Sequence, residues 1–344
     1  MRVAMYYRNS DIRLETLPKP TIGPGEALIK VRASGICGSD VMEWYRIKKA
    51  PIVLGHEVTG DIVELGEGVE GFEIGDRVVF THHVPCNNCY YCQRGEHSLC
   101  ETLHSTKFYP GGNAEFVRMP KLNIDKGGML RLPDNLSYDD GTFIEPLGCV
   151  VRGMRKLAIQ PGDSVLVLGS GLSGLLNIKA AIAMGAGRIV ATDISDYRLN
   201  AARAAGAEVA INALEEKDVV AAAKAANDGR GFDIVIVCTA APMVFNQAMQ
   251  AADKGATVLL FAINTPGTEL PFEPYALYSK GVTLTSTYAA APRDLREAMT
   301  LIASGRVEVA SLITHHLPLA ETQKGFEMTV RAENSLKIII DPTR

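Results

Sequence analysis

Apolar residues fall along this chain in two rhythms. Up to about residue 150 they come in short runs cut by Gly and Pro, among them Ala27–Val31, Val58–Leu65 and Arg77–Phe80. Successive side chains of a strand point to opposite faces, so short, partly alternating runs bounded by turn residues predict a mostly β half. From Ser164 onward, apolar segments alternate with Ala-rich ones. Strands are predicted at 165–168, 189–192, 233–238 and 257–262, with helices at 172–184, 197–205, 215–226 and 243–252. Such alternation is what a parallel sheet with crossover helices requires, so the fold class is α/β, a doubly wound parallel sheet joined to a mostly-β domain. A helix at 293–304 and a strand at 336–340 fit either domain.

Composition narrows the class. The 344 residues are 47% hydrophobic and 22% charged, with a net charge of −4. That length suits two cores better than one, and the mild acidity sets no field that would draw nucleic acid or anionic lipid. Partners are expected to be small molecules and copies of the chain itself. Residues 1–11 carry charges and tyrosines where an export signal needs an unbroken apolar core, so a cytoplasmic protein is expected. The weakly polar stretch from Ser164 to Gly187 contains Asn177, Lys179 and a glycine turn, which fit a strand, turn and helix better than a membrane span.

Three clusters carry chemistry. In the run Gly55-His56-Glu57-Val58-Thr59-Gly60, His56 stands nineteen residues after Cys37. A thiolate at Cys37 and an imidazole at His56 are good zinc ligands, and a carboxylate from Glu57 or from Glu145 completes an open, catalytic set. Singly, each of these is more ordinarily a core Cys, a hydrogen-bonded His or a surface Glu; the combination favours metal.

Seven cysteines are an odd number, and Cys86, Cys89, Cys92 and Cys100 form a C-x2-C-x2-C-x7-C cluster. Four thiolates close in sequence wrap a tetrahedral ion with no vacant position, a structural zinc site. An iron–sulfur cluster and a nucleic-acid zinc knuckle are the competing readings; the last interval and the lack of basic surface weigh against them. His82, His83 and His97 flank the cluster and are expected to hydrogen-bond within loops.

Finally, Gly169-Ser170-Gly171-Leu172-Ser173-Gly174 joins a predicted strand to a predicted helix, the arrangement that brings a pyrophosphate against backbone N–H groups. Asp193, at the end of the next strand, is placed to accept from the adenosine ribose hydroxyls, which favours NAD over NADP. Arg198, five residues on, is grouped with the cofactor residues without a phosphate assigned to it.

The pattern Gly55-His-Glu-x2-Gly60-x5-Gly66-x2-Val69 resembles the signature of zinc-containing alcohol dehydrogenases of the medium-chain dehydrogenase/reductase family. Glu145-Pro146-Leu147 is similar to the sorbitol-like polyol and threonine dehydrogenase branches, and the likeness continues through Leu312–His315 to Lys337–Ile340. The resemblance implies a GroES-like catalytic domain over 1–147 with its metal lobe at 84–101, a Rossmann domain over 148–287, and a return of 288–344 to the catalytic domain. It implies one catalytic and one structural zinc, NAD as cofactor, a dimer or tetramer, and Glu145 at the place of a second cysteine ligand.

By the same resemblance Ser39 takes the proton of the substrate hydroxyl. Three residues on, many relatives have a histidine; here Met42 cannot relay a proton, which leaves water, cofactor ribose or Glu43. Arg46, Lys48 and Lys49 read most simply as a solvated loop face, the alternative being contact with an acidic substrate. The activity expected is NAD-linked oxidation of a secondary alcohol such as a polyol. L-Threonine 3-dehydrogenase is the rival within the chemistry, and a non-enzymatic, crystallin-like dinucleotide binder the rival outside it.

Overall fold

The computed structural model describes residues 1–262, 264–270 and 273–344. It divides into two compact units, Met1–Gly148 with Ala289–Arg344, and Cys149–Tyr288. Sixteen strands are described. Eight open the first unit: β1 Arg2–Arg8, β2 Asp11–Thr16, β3 Ala27–Gly35, β4 Ile52–Val53, β5 Glu57–Leu65, β6 Arg77–Phe80, β7 Phe116–Met119 and β8 Met129–Arg131. Six belong to the second: β9 Val165–Leu168, β10 Ile189–Asp193, β11 Val209–Asn212, β12 Phe232–Val237, β13 Ala252–Leu260 and β14 Thr283–Ser286. The chain then returns to the first with β15 Ile313–Pro318 and β16 Lys337–Asp341.

In the first unit a seven-stranded sheet runs β15-β16-β3-β5-β6-β8, with β7 also on β3, and a smaller sheet runs β2-β1-β4. Apart from the parallel pair β15–β16, these pairings are antiparallel. Ile29, Val31, Val58, Ile62, Val78, Phe80 and Val117 project into one core of this unit. The register sets Gly35 of β3 opposite Glu57 of β5, and Ile339 of β16 opposite Gly35. One sheet end therefore gathers residues that are far apart in sequence.

The second unit is a parallel sheet in the order β11-β10-β9-β12-β13-β14, with helices in the connections. Its central strands β9 and β10 are buried along their whole length, as strands covered on both faces must be. The helix predicted over 215–226 is shorter, Val219–Ala225, because the Asp218 carboxylate accepts from Ala221 N at 2.9 Å and starts the helix there. The strand predicted at 257–262 spans Ala252–Leu260 instead. No helix among the described residues is long and apolar enough to cross a membrane.

Candidate metal centres and cofactor site

Cys37 stands two residues after the end of β3 and His56 immediately precedes β5, so the Gly35–Glu57 register brings them together. One ligand atom from each of Cys37, His56 and Glu57 lies within 4.8 Å of the others. Glu145, buried in the first turn of helix Ile144–Leu157, is not part of that group. Asp40 locks the cluster from outside it. Its Oδ1 lies 3.4 Å from His56 Nδ1, and its Oδ2 accepts from Cys37 N at 3.3 Å. An imidazole held at Nδ1 by a carboxylate presents Nε2 as a metal donor.

The electrostatics call for a cation. Burial opposes charge on His56, but Asp40 and Cys37 outweigh it and hold its pKa well above the usual imidazole value. Burial, reinforced by Glu57, pushes the Cys37 thiol up. Asp40 stays below the usual carboxylate range despite its burial, because His56 and Arg46 favour its charge.

Glu57 is 1% exposed; its Oε2 accepts from Lys337 Nζ while its Oε1 is buried with no hydrogen-bond partner. An orphaned carboxylate oxygen beside a thiol and an imidazole is costly unless a cation meets it, and this donor set fits zinc. Lys337 lies on β16, and a side chain on Gly35 would run into both Lys337 Nζ and Glu57 Oε2. Glycine is required there by close approach.

Ser39 Oγ donates to Cys37 Sγ at 3.3 Å and accepts from Arg46 Nη2 at 3.0 Å. Arg46 also binds Asp40 Oδ1 at 3.0 Å and the Ser39 carbonyl at 3.1 Å, so it is no solvated loop residue. Met42 is the residue before the short helix Glu43–Arg46. His82 departs from the expected loop hydrogen bonding. Its ring lies 5.4 Å from that of His56 and 3.7 Å from that of His83, and its Nδ1 is buried without a partner.

The four clustered cysteines meet as the spacing predicts, with their sulfurs within 4.8 Å of one another and none in a disulfide. Cys86 N donates to Cys100 Sγ and Cys89 N to Cys86 Sγ, each at 3.3 Å. Burial pushes the Cys92 thiol up to about 12. Against burial, backbone and thiol hydrogen bonds bring Cys100 down to about 6. Four gathered sulfurs without an S–S bond, two of them accepting these N–H bonds, fit a closed thiolate site for a tetrahedral ion.

In the second unit Gly169 follows β9 with φ of 96°, a region open to glycine. A side chain on Gly174 would strike the Gly169 carbonyl, so helix Leu172–Ala183 packs against this turn only as glycine. Gly171 caps that helix and Leu172 begins it, leaving N-terminal N–H groups for an anion. Asp193 at the end of β10 accepts from Ser170 N at 2.7 Å, Ile194 N at 2.8 Å and Ser195 N at 3.0 Å. Arg198 leans back toward this turn, Nη1 lying 4.0 Å from Asp193 Oδ2 and its Nε buried without a partner.

The sequence reading missed Asp40 and Lys337. Asp40 stands three residues after Cys37, and Lys337 is a lone cation in an apolar strand; that mismatch was the available signal.

Known proteins carry the same framework. Residues 23–132 match the alcohol dehydrogenase GroES-like domain, and residues 174–304 match the zinc-binding dehydrogenase domain. The chain is 31% identical to sorbitol dehydrogenase of Bacillus subtilis, over 100% of this chain and 98% of that protein. It is 35% identical to L-threonine 3-dehydrogenase of Pyrococcus horikoshii, over 94% of this chain and 92% of that protein. A protein of Sinorhizobium meliloti solved with NADP bound superposes with a TM-score of 0.88 at 26% identity, over 99% of each chain. With both domains matched and relatives spanning its full length, the chain belongs to the zinc-containing alcohol dehydrogenases of the medium-chain dehydrogenase/reductase family.

Proposed function

We propose that this protein oxidises a secondary alcohol of the polyol class, or reduces the corresponding ketone, with NAD as its cofactor. The observation that carries the reading is the gathering of Cys37, His56 and Glu57, with Glu57 Oε1 lacking any other partner. Bound there, zinc supplies a Lewis acid for the alcohol oxygen, and the nicotinamide cofactor supplies the hydride acceptor.

The chain's own residues do the rest. Cys37, His56 and Glu57 hold the metal, and the family resemblance adds Glu145 as a further ligand. Asp40 fixes the His56 ring, and Lys337 holds Glu57. Ser39 Oγ receives the hydroxyl proton of the substrate. Arg46, bonded to that oxygen, is permanently charged and cannot take the proton onward, so it leaves to water or to the cofactor ribose. Gly169, Gly171, Leu172 and Gly174 cradle the pyrophosphate. Asp193 already accepts three N–H bonds yet, as an ionised carboxylate, keeps capacity for a ribose hydroxyl. Its charge opposes a ribose 2′-phosphate, hence NAD. Cys86, Cys89, Cys92 and Cys100 hold the structural zinc.

The reading includes a homo-oligomeric enzyme of the cytoplasm. The test is turnover by zinc-replete protein with NAD over alditols, simple secondary alcohols and L-threonine, followed by NADH absorbance. Oxidation of alditols is expected. L-Threonine as the sole substrate would move the assignment to the rival branch, and no turnover of any alcohol would sink the dehydrogenase reading.

A further inference from the structure

The metal cluster of the first unit is charge-matched beneath and left with surplus donors on one side. Each carboxylate beside it has its own cation, Lys337 for Glu57 and Arg46 for Asp40. Glu43, the remaining acid of helix Glu43–Arg46, turns away, its Oε2 accepting from Asn9 N at 2.9 Å.

Three donors are unspent. Arg46 uses Nε and Nη2, and its Nη1 has no acceptor among the described residues. Lys49 pairs with no carboxylate among them; its Nζ lies 5.1 Å from the Tyr45 ring centroid, and the Arg46 guanidinium lies 4.8 Å from the same centroid. His82 Nδ1 is buried without a partner, on a ring next to that of His56. Whether neutral or protonated, an imidazole carries at least one N–H, so the His82 ring can donate to an anion.

Arg46 and Lys49 share the Tyr45 ring; Asp40 balances Arg46, while no carboxylate among the described residues meets Lys49. A guanidinium edge, an ammonium and an imidazole are the groups that receive an oxyanion. The receptor is close to the reacting position, since Arg46 reaches Cys37 Sγ through the single hydroxyl of Ser39.

We propose that Arg46, Lys49 and His82 receive an anionic group of the substrate, so that the preferred alcohol is a hydroxy acid or a phosphorylated polyol rather than a neutral polyol. This rests on the dehydrogenase reading above and narrows its substrate class. The anion lies only a few bonds from the carbinol carbon.

Trp44 offers a readout that needs no turnover. It is the only tryptophan of the chain, and its ring lies 5.7 Å from that of Tyr45. Sorbitol, gluconate and sorbitol phosphate are titrated against Trp44 fluorescence in the zinc-replete protein, and each is assayed with NAD. At least one anion is expected to bind about tenfold more tightly than sorbitol, a difference of ~1.4 kcal/mol, and to show a similar advantage in kcat/KM. The better of the two distinguishes carboxylate from phosphate. The advantage should shrink as salt rises. Lys49→Gln, at an exposed position, should cut it severalfold and Lys49→Arg should restore it.

Sorbitol equalling both anions in binding and turnover would overturn the anion site and leave the dehydrogenase reading standing. So would an anion advantage that Lys49→Gln leaves unchanged. Tight, Lys49-dependent anion binding with no oxidation of any alcohol would support the anion site and sink the dehydrogenase reading.

Discussion

Lys337 is fully buried, and its ammonium has the Glu57 carboxylate on one side and the Phe143 ring centroid at 5.2 Å on the other. Removing one partner of such a pair leaves the other charge unmatched in a medium that solvates it poorly. Lys337→Met is therefore expected to cost about 3–5 kcal/mol in urea unfolding, and Lys337→Met with Glu57→Gln to recover a large part of that. A single variant as stable as the parent would show that the pair is not holding Glu57. Acid should act through the histidines beside the same cluster. Burial first, then His56, brings His83 down to about 3, so the folded protein keeps it neutral where the unfolded chain takes a proton. With an unfolded pKa near 6.5, stability present above that value is lost as pH falls toward 3, about 2 kcal/mol from His83 between pH 7 and pH 5. His82 acts in the same direction. Unfolding free energies at the two pH values check this, and His83→Gln should flatten the dependence.

At the scale of elements, the turn after β9 and the end of β10 act as one device, because Asp193 bonds Ser170 across it. If Asp193 also reads the ribose, NAD should exceed NADP in kcat/KM by at least about tenfold, or ~1.4 kcal/mol. Asp193→Asn removes the charge and keeps one of the two accepting oxygens, so it should narrow that ratio at a moderate cost in Tm. Asp193→Gly should narrow it and also lower Tm, since three N–H groups lose their acceptor. An NADP preference in the unmodified protein would overturn the assignment. This device was legible in the sequence because it is local: an all-apolar β9, a glycine turn and a helix stand next to one another. The paired strands β1 and β2 were not, since the run Val3–Tyr7 of β1 does not alternate and β2 offers only Ile12 and Leu14 as apolar positions. Nor was the Glu57–Lys337 pair, whose members are 280 residues apart and meet only through the register of β16, β3 and β5.

The whole molecule encodes two metal sites of opposite character in its first unit, and their division of labour is testable. The four-cysteine site is closed: its ligands come from one short segment, and an ion held there would use all four thiolates. Such a site contributes folding free energy, because the ligands meet only in the folded chain. The Cys37, His56 and Glu57 site draws on the ends of β3 and β5, which the sheet already holds together by backbone pairing. Its geometry survives the loss of one ligand, but its chemistry does not. Metal analysis should find two zinc ions per chain. A stoichiometry near one, or iron in the cysteine lobe, would contradict this. Cys89→Ser should lower Tm and halve the zinc content. Cys37→Ser should leave Tm within a few degrees of the parent and depress kcat by orders of magnitude. Chelation under mild conditions should follow the same order, with the open site emptying first and activity falling before stability does. If both variants lost equal stability and equal activity, the two sites would not be separable, and the assignment of one to folding and the other to catalysis would fail.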